Sequence, residues 1–190
     1  MRIAFKEWAI VVDALGRGDQ IIVLRKGGLS EGPGGFQVEH PQFLFFPTLF
    51  HQQRKSVLSA AQSRFDRIAP YFPPASRLRL EFFANVVSWQ SLDSLAAAER
   101  LRGQHIWREE VIAERFDWGK SKNIFAIACR VHRLRSPVEL PMLGGYDGCK
   151  SWVELERDIA TDNGTPVLGD QSFAAKLNQF QSAVKTGAGA

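Results

Sequence analysis

Short apolar runs, separated by polar and glycine-rich stretches, divide this chain into segments of helical and strand-like periodicity. Phe5, Trp8, Ala9, Val12 and Leu15 recur at helical spacing and predict a first helix, stopped by Gly16 and Gly18. The β-branched run Ile21-Ile22-Val23-Leu24 predicts a buried strand, and the glycine-rich stretch from Gly27 to Gly35 predicts a loop. Phe43-Leu44-Phe45-Phe46 reads as a short strand, apolar on both faces and stopped by Pro47. A helix is expected over Lys55 to Ala69, with Val57, Leu58, Ala61, Phe65 and Ile68 on one side, before a connector stiffened by Pro70, Pro73 and Pro74.

Farther along, Leu78, Leu80, Phe82, Ala84 and Val86 alternate toward one face of a strand running to Trp89. Leu92 to Arg102 predicts a helix capped by Ser91 or Asp93 and closed by Gly103. Glu109 to Phe116 predicts another. Ile124 to Val131 is the strongest strand signal and places Cys129 among bulky apolar neighbours, where a thiol is inert packing. Pro137 to Leu155 is turn-rich and aromatic, and Phe173, Leu177 and Phe180 suggest one more small helix. Helices and short strands alternate irregularly. The expected fold class is therefore α+β, a compact mixed or partly closed sheet with flanking helices. Residues 1–157 are read as one domain, 158–184 as a C-terminal extension with a short helix, and 185–190 as a disordered tail.

Length and composition narrow the class. The chain has 190 residues, of which 45% are hydrophobic and 23% charged, which suits a globular domain with a sizeable core. No apolar run approaches the roughly 20 residues of a membrane span, and the first residues lack the layout of a signal peptide. A bacterial-type, cytoplasmic protein without membrane attachment is expected. Two cysteines, Cys129 and Cys149, are too few for a disulfide scaffold. The formal charge of +4 is concentrated where Arg115, Lys120, Lys122, Arg130, Arg133 and Arg135 face Asp117 alone. Such a stretch is either a phosphate-holding surface or simply a solvated basic face.

Candidate chemistry centres on Gly34 to Gln52, where Phe and Leu are interleaved with Glu39, His40, His51 and Gln52. Glu39, His40 and His51 can act as an acid/base or ligand-orienting group, as part of a metal site, or as strand-end residues bonded to backbone. A metal would need further ligands from Glu31, Asp147 or Cys149, at spacings that match no standard zinc pattern, so no metal and no cofactor are predicted. Arg25 and Lys26 stand where a strand gives way to a glycine loop, a common place for groups that meet ligands. Tyr146 and Trp152 offer stacking faces beside Lys150, or else close the core under a loop. Glu154 and Glu156 follow Lys150 where a nuclease would have acids before its lysine. Neither G-x-x-x-x-G-K-S/T, G-x-G-x-x-G nor G-x-S-x-G is present.

Phe5-Lys6-Glu7-Trp8, Leu24-Arg25-Lys26-Gly27-Gly28, Phe46-Pro47-Thr48 with His51-Gln52, and Tyr146 to Leu155 together resemble DUF1802, an uncharacterised bacterial domain family. The resemblance runs from about Phe5 to Leu155, and its association with restriction-type domains implies a link to nucleic acid. A narrower likeness joins Gly18-Asp19-Gln20-Ile21-Ile22-Val23-Leu24-Arg25 to the G-x-K-T-x-E-x-R element of ASCH domains, small PUA-like β-barrels associated with RNA or modified nucleotides. Gly18 and Arg25 match, whereas Gln20 and Val23 replace that element's lysine and glutamate. The resulting expectation is a binding module for RNA, modified DNA or a nucleotide in a restriction or defence-type system. Its pocket would include Arg25, Lys26, Glu39, His40, His51, Gln52, Tyr146, Lys150 and Trp152. The alternatives are a hydrolase or nuclease built on Glu39, His40 and His51, with or without a metal, and a protein-interaction domain.

Overall fold

The computed structural model describes residues 1–26, 36–119 and 122–185. The loop expected at Gly27 to Gly35, with Glu31, lies outside the described residues, as do Lys120 and the tail after Lys185. Among the described residues seven strands form one mixed sheet: β1 (Ile3–Trp8), β2 (Ile22–Arg25), β3 (Gln42–Thr48), β4 (Arg77–Leu92), β5 (Ile124–Pro141), β6 (Trp152–Glu154) and β7 (Thr165–Pro166). Their order is β2-β5-β4-β3-β1-β6, with β7 beside β5. Only β1 and β3 run parallel within this ladder, while the other named pairings are antiparallel. The fold is α+β, as the alternation of segments predicts.

The first strand corrects the helix expected over Phe5 to Leu15. Ile3–Trp8 is extended between β3 and β6, and helix α1 begins only at Ala9 and ends at Gly16. A period of two was concealed there, because Phe5 and Glu7 fall on one face and Ala4 and Lys6 on the other. Helical spacing of Phe5 and Trp8 lost to the ladder that β3 and β6 supply. At the other end of α1, Gly18 has φ +74°, its amide donates to Leu15 and the Asp19 amide donates to Ala14. That pattern is a Schellman cap, which needs a residue free to adopt positive φ.

The sheet separates two apolar layers. In β3, Phe43 and Phe45 enter the larger layer while Leu44 and Phe46 enter the smaller, which explains its unbroken apolar run. Pro47 does not stop this strand but pairs with Glu7. In β4 the expected one-sided alternation breaks at a register shift between Leu80 and Phe82. Leu78 and Leu80 lie in the smaller layer, whereas Phe82 and Ala84 lie in the larger, because the pairing is irregular there, Leu80 standing opposite Val138 but Phe82 opposite Arg133, and the faces exchange.

Helices cover the larger layer. The helix expected from Lys55 is interrupted into α2 (Gln52–Lys55) and α3 (Ser59–Ile68), because Val57 forms a β-bridge with Trp107 between them. Next, α4 (Leu95–Glu99) is capped by Ser94, whose side chain accepts the Ala97 amide, not by Ser91 or Asp93. Helix α5 (Glu109–Asp117) follows its prediction closely, with acidic residues in the first turn and Arg115 in the last, both favourable to the helix dipole. Helix α6 (Asp170–Lys185) runs through the segment read as an extension and seats Phe173 and Phe180 in the larger layer. Among the described residues no helix is long and apolar enough to cross a membrane.

Opposite ends of the sheet approach each other. Arg25, at the end of β2, donates from Nε to Ser151 Oγ beside β6 at 2.7 Å, and its guanidinium lies 5.2 Å from the centre of the Phe5 ring in β1. The sheet is thus curled toward a half-barrel, with side chains across the gap.

Candidate functional site

A cleft of about 420 Å³ opens at this gap. Lys6, Glu7 and Trp8 come from the end of β1, Arg25 and Lys26 from the end of β2, and Thr48 and Phe50 from the exit of β3. Arg115 and Trp118 come from the end of α5, and Gly148, Cys149 and Lys150 from the turn before β6. Among the described residues that line it, five cations thus converge around the carboxyl group of Glu7. A second cleft, of about 400 Å³, lies against α1 and α3, but its Arg64 and Arg79 are already paired with Asp13 and Glu81. The first cleft therefore carries the stronger electrostatic signal.

Local contacts hold the cations in place. Lys6 donates to the Gly148 carbonyl at 3.0 Å and Lys150 to that of Gly145 at 2.7 Å. Lys26 donates to the carbonyls of Phe116 and Asn123. For Lys6 and Lys150 these carbonyl bonds position the ammonium groups without neutralising them. Burial lowers the Lys6 pKa, and the neighbouring Lys150 lowers it further. Lys26 is also lowered, chiefly by burial and then by Lys122. Arg115 donates to the Leu24 carbonyl at 3.1 Å and lies over the rings of Trp8 and Trp107, at 4.6 and 5.4 Å. Burial brings its pKa down to about 10, against the opposing pull of Glu7. It remains a cation at neutral pH.

Glu7 lies on the cleft floor and is only 2% exposed. The upper part of β1 passes beyond the three-residue pairing with β6, so the Trp8 amide turns to Glu7 Oε1 at 2.6 Å. Oε2 is buried and has no hydrogen-bond partner among the described residues. Burial raises the Glu7 pKa, while Arg115 and Arg25 pull it down. At the rim, Phe50 and Trp118 are 60% and 47% exposed, far more than aromatic rings of a core.

Of the residues singled out from sequence, Arg25, Lys26 and Lys150 line this cleft. Trp152 does not; it is boxed by Phe5, Phe36 and Phe43, and His40 meets it edge-on at 4.9 Å. Its indole N–H donates to the Gln37 carbonyl at 3.1 Å. Tyr146 is 4% exposed, packs edge-on against Phe46, and its hydroxyl accepts the Glu156 amide. Tyr146 is thus enclosed in the smaller layer, while Trp152 is half-buried in an aromatic cluster against the larger one. Glu39, His51 and Gln52 are exposed, and no hydrogen bond, ion pair or ring contact joins Glu39, His40 and His51 among the described residues. No three His, Cys, Asp or Glu side chains converge as a metal site requires, again among the described residues.

The basic stretch after Arg115 disperses. Lys122 pairs with Asp117, Arg130 with Asp170, and Arg133 reaches the Gly16 carbonyl. Gln20, at the lysine position of the ASCH-like element, bonds the Ile22 carbonyl and the Ile106 amide and is structural. Glu7, Trp8, Phe50 and Trp118 were not singled out as ligand groups from sequence. An acid alternating with apolar Phe5 in a buried strand was the available signal for Glu7.

An ASCH protein of Zymomonas mobilis, solved as a Tyr-to-Phe mutant, is similar to this chain with a TM-score of 0.43 and 12% identity, over 93% of this chain and 95% of that one. No curated protein matches the sequence. The model of a domain of unknown function, DUF1802, matches residues 4–179. The chain belongs to the DUF1802 family.

Proposed function

We propose that this protein is a nucleic-acid-binding module that takes an unpaired nucleotide of a single strand into the cleft between β1, β2 and α5. The observation that supports it is the convergence of Lys6, Arg25, Lys26, Arg115 and Lys150 beneath two exposed rings, Phe50 and Trp118. Cations at close quarters hold backbone phosphates, and exposed rings stack on bases that are free of a duplex. A volume of about 420 Å³ lies within the range of small-ligand sites and suits one nucleotide better than a folded partner. A solvated basic face without a ligand would not need the aromatic rim.

The test is fluorescence anisotropy with labelled single-stranded RNA and DNA and their duplexes, at low salt. Trp118→Ala and Phe50→Ala remove exposed surface and so leave the melting temperature close to the parent's. Each is expected to weaken single-strand binding by roughly 5- to 100-fold, the usual worth of a stacked base. Equal affinity for duplex and single strand, or variants that bind like the parent, contradicts the reading. The same measurement with His51→Ala and Glu39→Gln should show little change, since neither lines the cleft.

A further inference from the structure

The second cleft, of about 400 Å³, borders the first. Consecutive residues divide the two: Trp8 lines the first and Ala9 the second, while Thr48 lines the first and Pro47 the second. Trp8 and Thr48 are register partners in the parallel pairing of β1 and β3, as are Glu7 and Pro47. Because β4 runs antiparallel to β3, Arg79 and Glu81 near its start close the second cleft at the end of the sheet where β1 and β3 finish. A ligand longer than one cleft therefore meets the other across a ridge made by the ends of two strands.

The two linings differ in kind. Phe45, Ile68, Phe72 and Phe82 give the second cleft apolar walls, and its Arg64 and Arg79 have their charges offset by Asp13 and Glu81, each at 2.8 Å. Paired guanidinium planes and aromatic walls suit the flat face of a base better than a phosphate. At the mouth, Tyr71 is 87% exposed, the most exposed of the large apolar side chains described. It closes the 3-10 turn Ala69–Tyr71, between Pro70 and Pro73, whose rings fix φ. A ring on so stiff a turn loses little freedom when a base stacks on it. Arg67, also lining this cleft, is exposed and has no hydrogen bond or ion pair among the described residues. One such guanidinium can hold one phosphate.

We propose that the second cleft takes the nucleotide adjacent to the one held in the first, so that a single strand crosses the ridge of Trp8, Ala9, Pro47 and Thr48, with Tyr71 stacking on its base and Arg67 holding its phosphate. This rests on the nucleic-acid reading above and goes beyond it by giving the strand a second base position and a path over the molecule. Joining two weak positions by one backbone makes the second contact intramolecular, so a short strand gains affinity that a single nucleotide lacks.

The experiment titrates the intact, nitrogen-15-labelled protein with uridine monophosphate and with a uridine hexanucleotide at low salt, following backbone amides by NMR. The monophosphate is expected to shift Thr48, Phe50, Trp118 and Lys150, and the hexanucleotide to shift Ala9, Arg67 and Tyr71 as well. By displacement of a labelled hexanucleotide, the hexanucleotide should bind at least about tenfold more tightly than the monophosphate. Tyr71→Ala and Arg67→Ala, both at exposed positions that leave the fold intact, should each cut that ratio by about fivefold. Trp118→Ala should weaken both ligands and keep the ratio. Hexanucleotide shifts confined to the first cleft, or a parental ratio in both Tyr71→Ala and Arg67→Ala, overturn the second position and leave the first standing. No shift in either cleft with the hexanucleotide overturns the nucleic-acid reading itself.

Discussion

Two buried titratable side chains respond to pH in opposite directions. His105 is 8% exposed, its Nδ1 has no partner among the described residues, and burial brings its pKa from 6.5 down to about 4. The folded protein therefore resists protonation there more than the unfolded chain does. The contribution of neutral His105 is fully present above about pH 6.5 and is lost as pH falls toward 4, amounting to about 3 kcal/mol. Urea unfolding between pH 7 and 4 should show this loss, and His105→Gln should flatten it. Glu7 has a raised folded pKa, so its contribution is present below the ordinary carboxylate value of 4.5 and is lost as pH rises through the folded value. Consequently Glu7→Gln should gain stability over the parent at pH 7 and lose that advantage near pH 4.

Among the elements, α1 is the most tightly constrained. Seven of its residues are buried, and at Gly16 an added Cβ would enter the ring of Phe82. Alanine ordinarily improves a helix by up to about 1 kcal/mol, but overpacking a buried ring costs about 1–3 kcal/mol. Gly16→Ala is therefore expected to lower stability by about 1–2 kcal/mol in denaturant titrations. A neutral or stabilising result would mean that Phe82 can move aside. Sequence alone showed β2, α5 and the core of β5, because each carries its own period and its own stop signals. It could not show β1, whose residues satisfy a helical and a strand period at once until β3 and β6 decide between them. The bulge after Leu80 was equally hidden, since it is defined by the pairing of β4 with β5.

The charge of the whole molecule is modest, and most arginines outside the cleft have acidic or carbonyl partners, as Arg54 has Asp66 and Arg100 the Ala183 carbonyl. Local convergence, more than net charge, should therefore govern binding. Each phosphate held in the cleft is expected to reduce affinity about 2- to 3-fold for a fourfold rise in salt, read from the slope of affinity against ionic strength. Arg25→Ala should lower that slope, and an unaltered slope would remove Arg25 from the phosphate contacts. This distribution also explains how much of the site could be read from sequence. Arg25, Lys26 and Lys150 stand beside turns, where strand ends commonly meet ligands. Glu7, Phe50 and Trp118 acquire their meaning when β1, the exit of β3 and α5 converge, a long-range event no local spacing records.

Arg25 spans the gap between the two ends of the sheet and also faces the cleft. The guanidinium is shared between a hydroxyl of the scaffold and any anion that arrives. Closure of the curl and occupancy of the site are then linked equilibria. A ligand that draws Arg25 away from Ser151 does work against the scaffold, and a change that loosens the seam alters affinity by the same factor. On the proposed reading, the grip on a nucleotide is in this sense set partly by how firmly the sheet holds its own two ends.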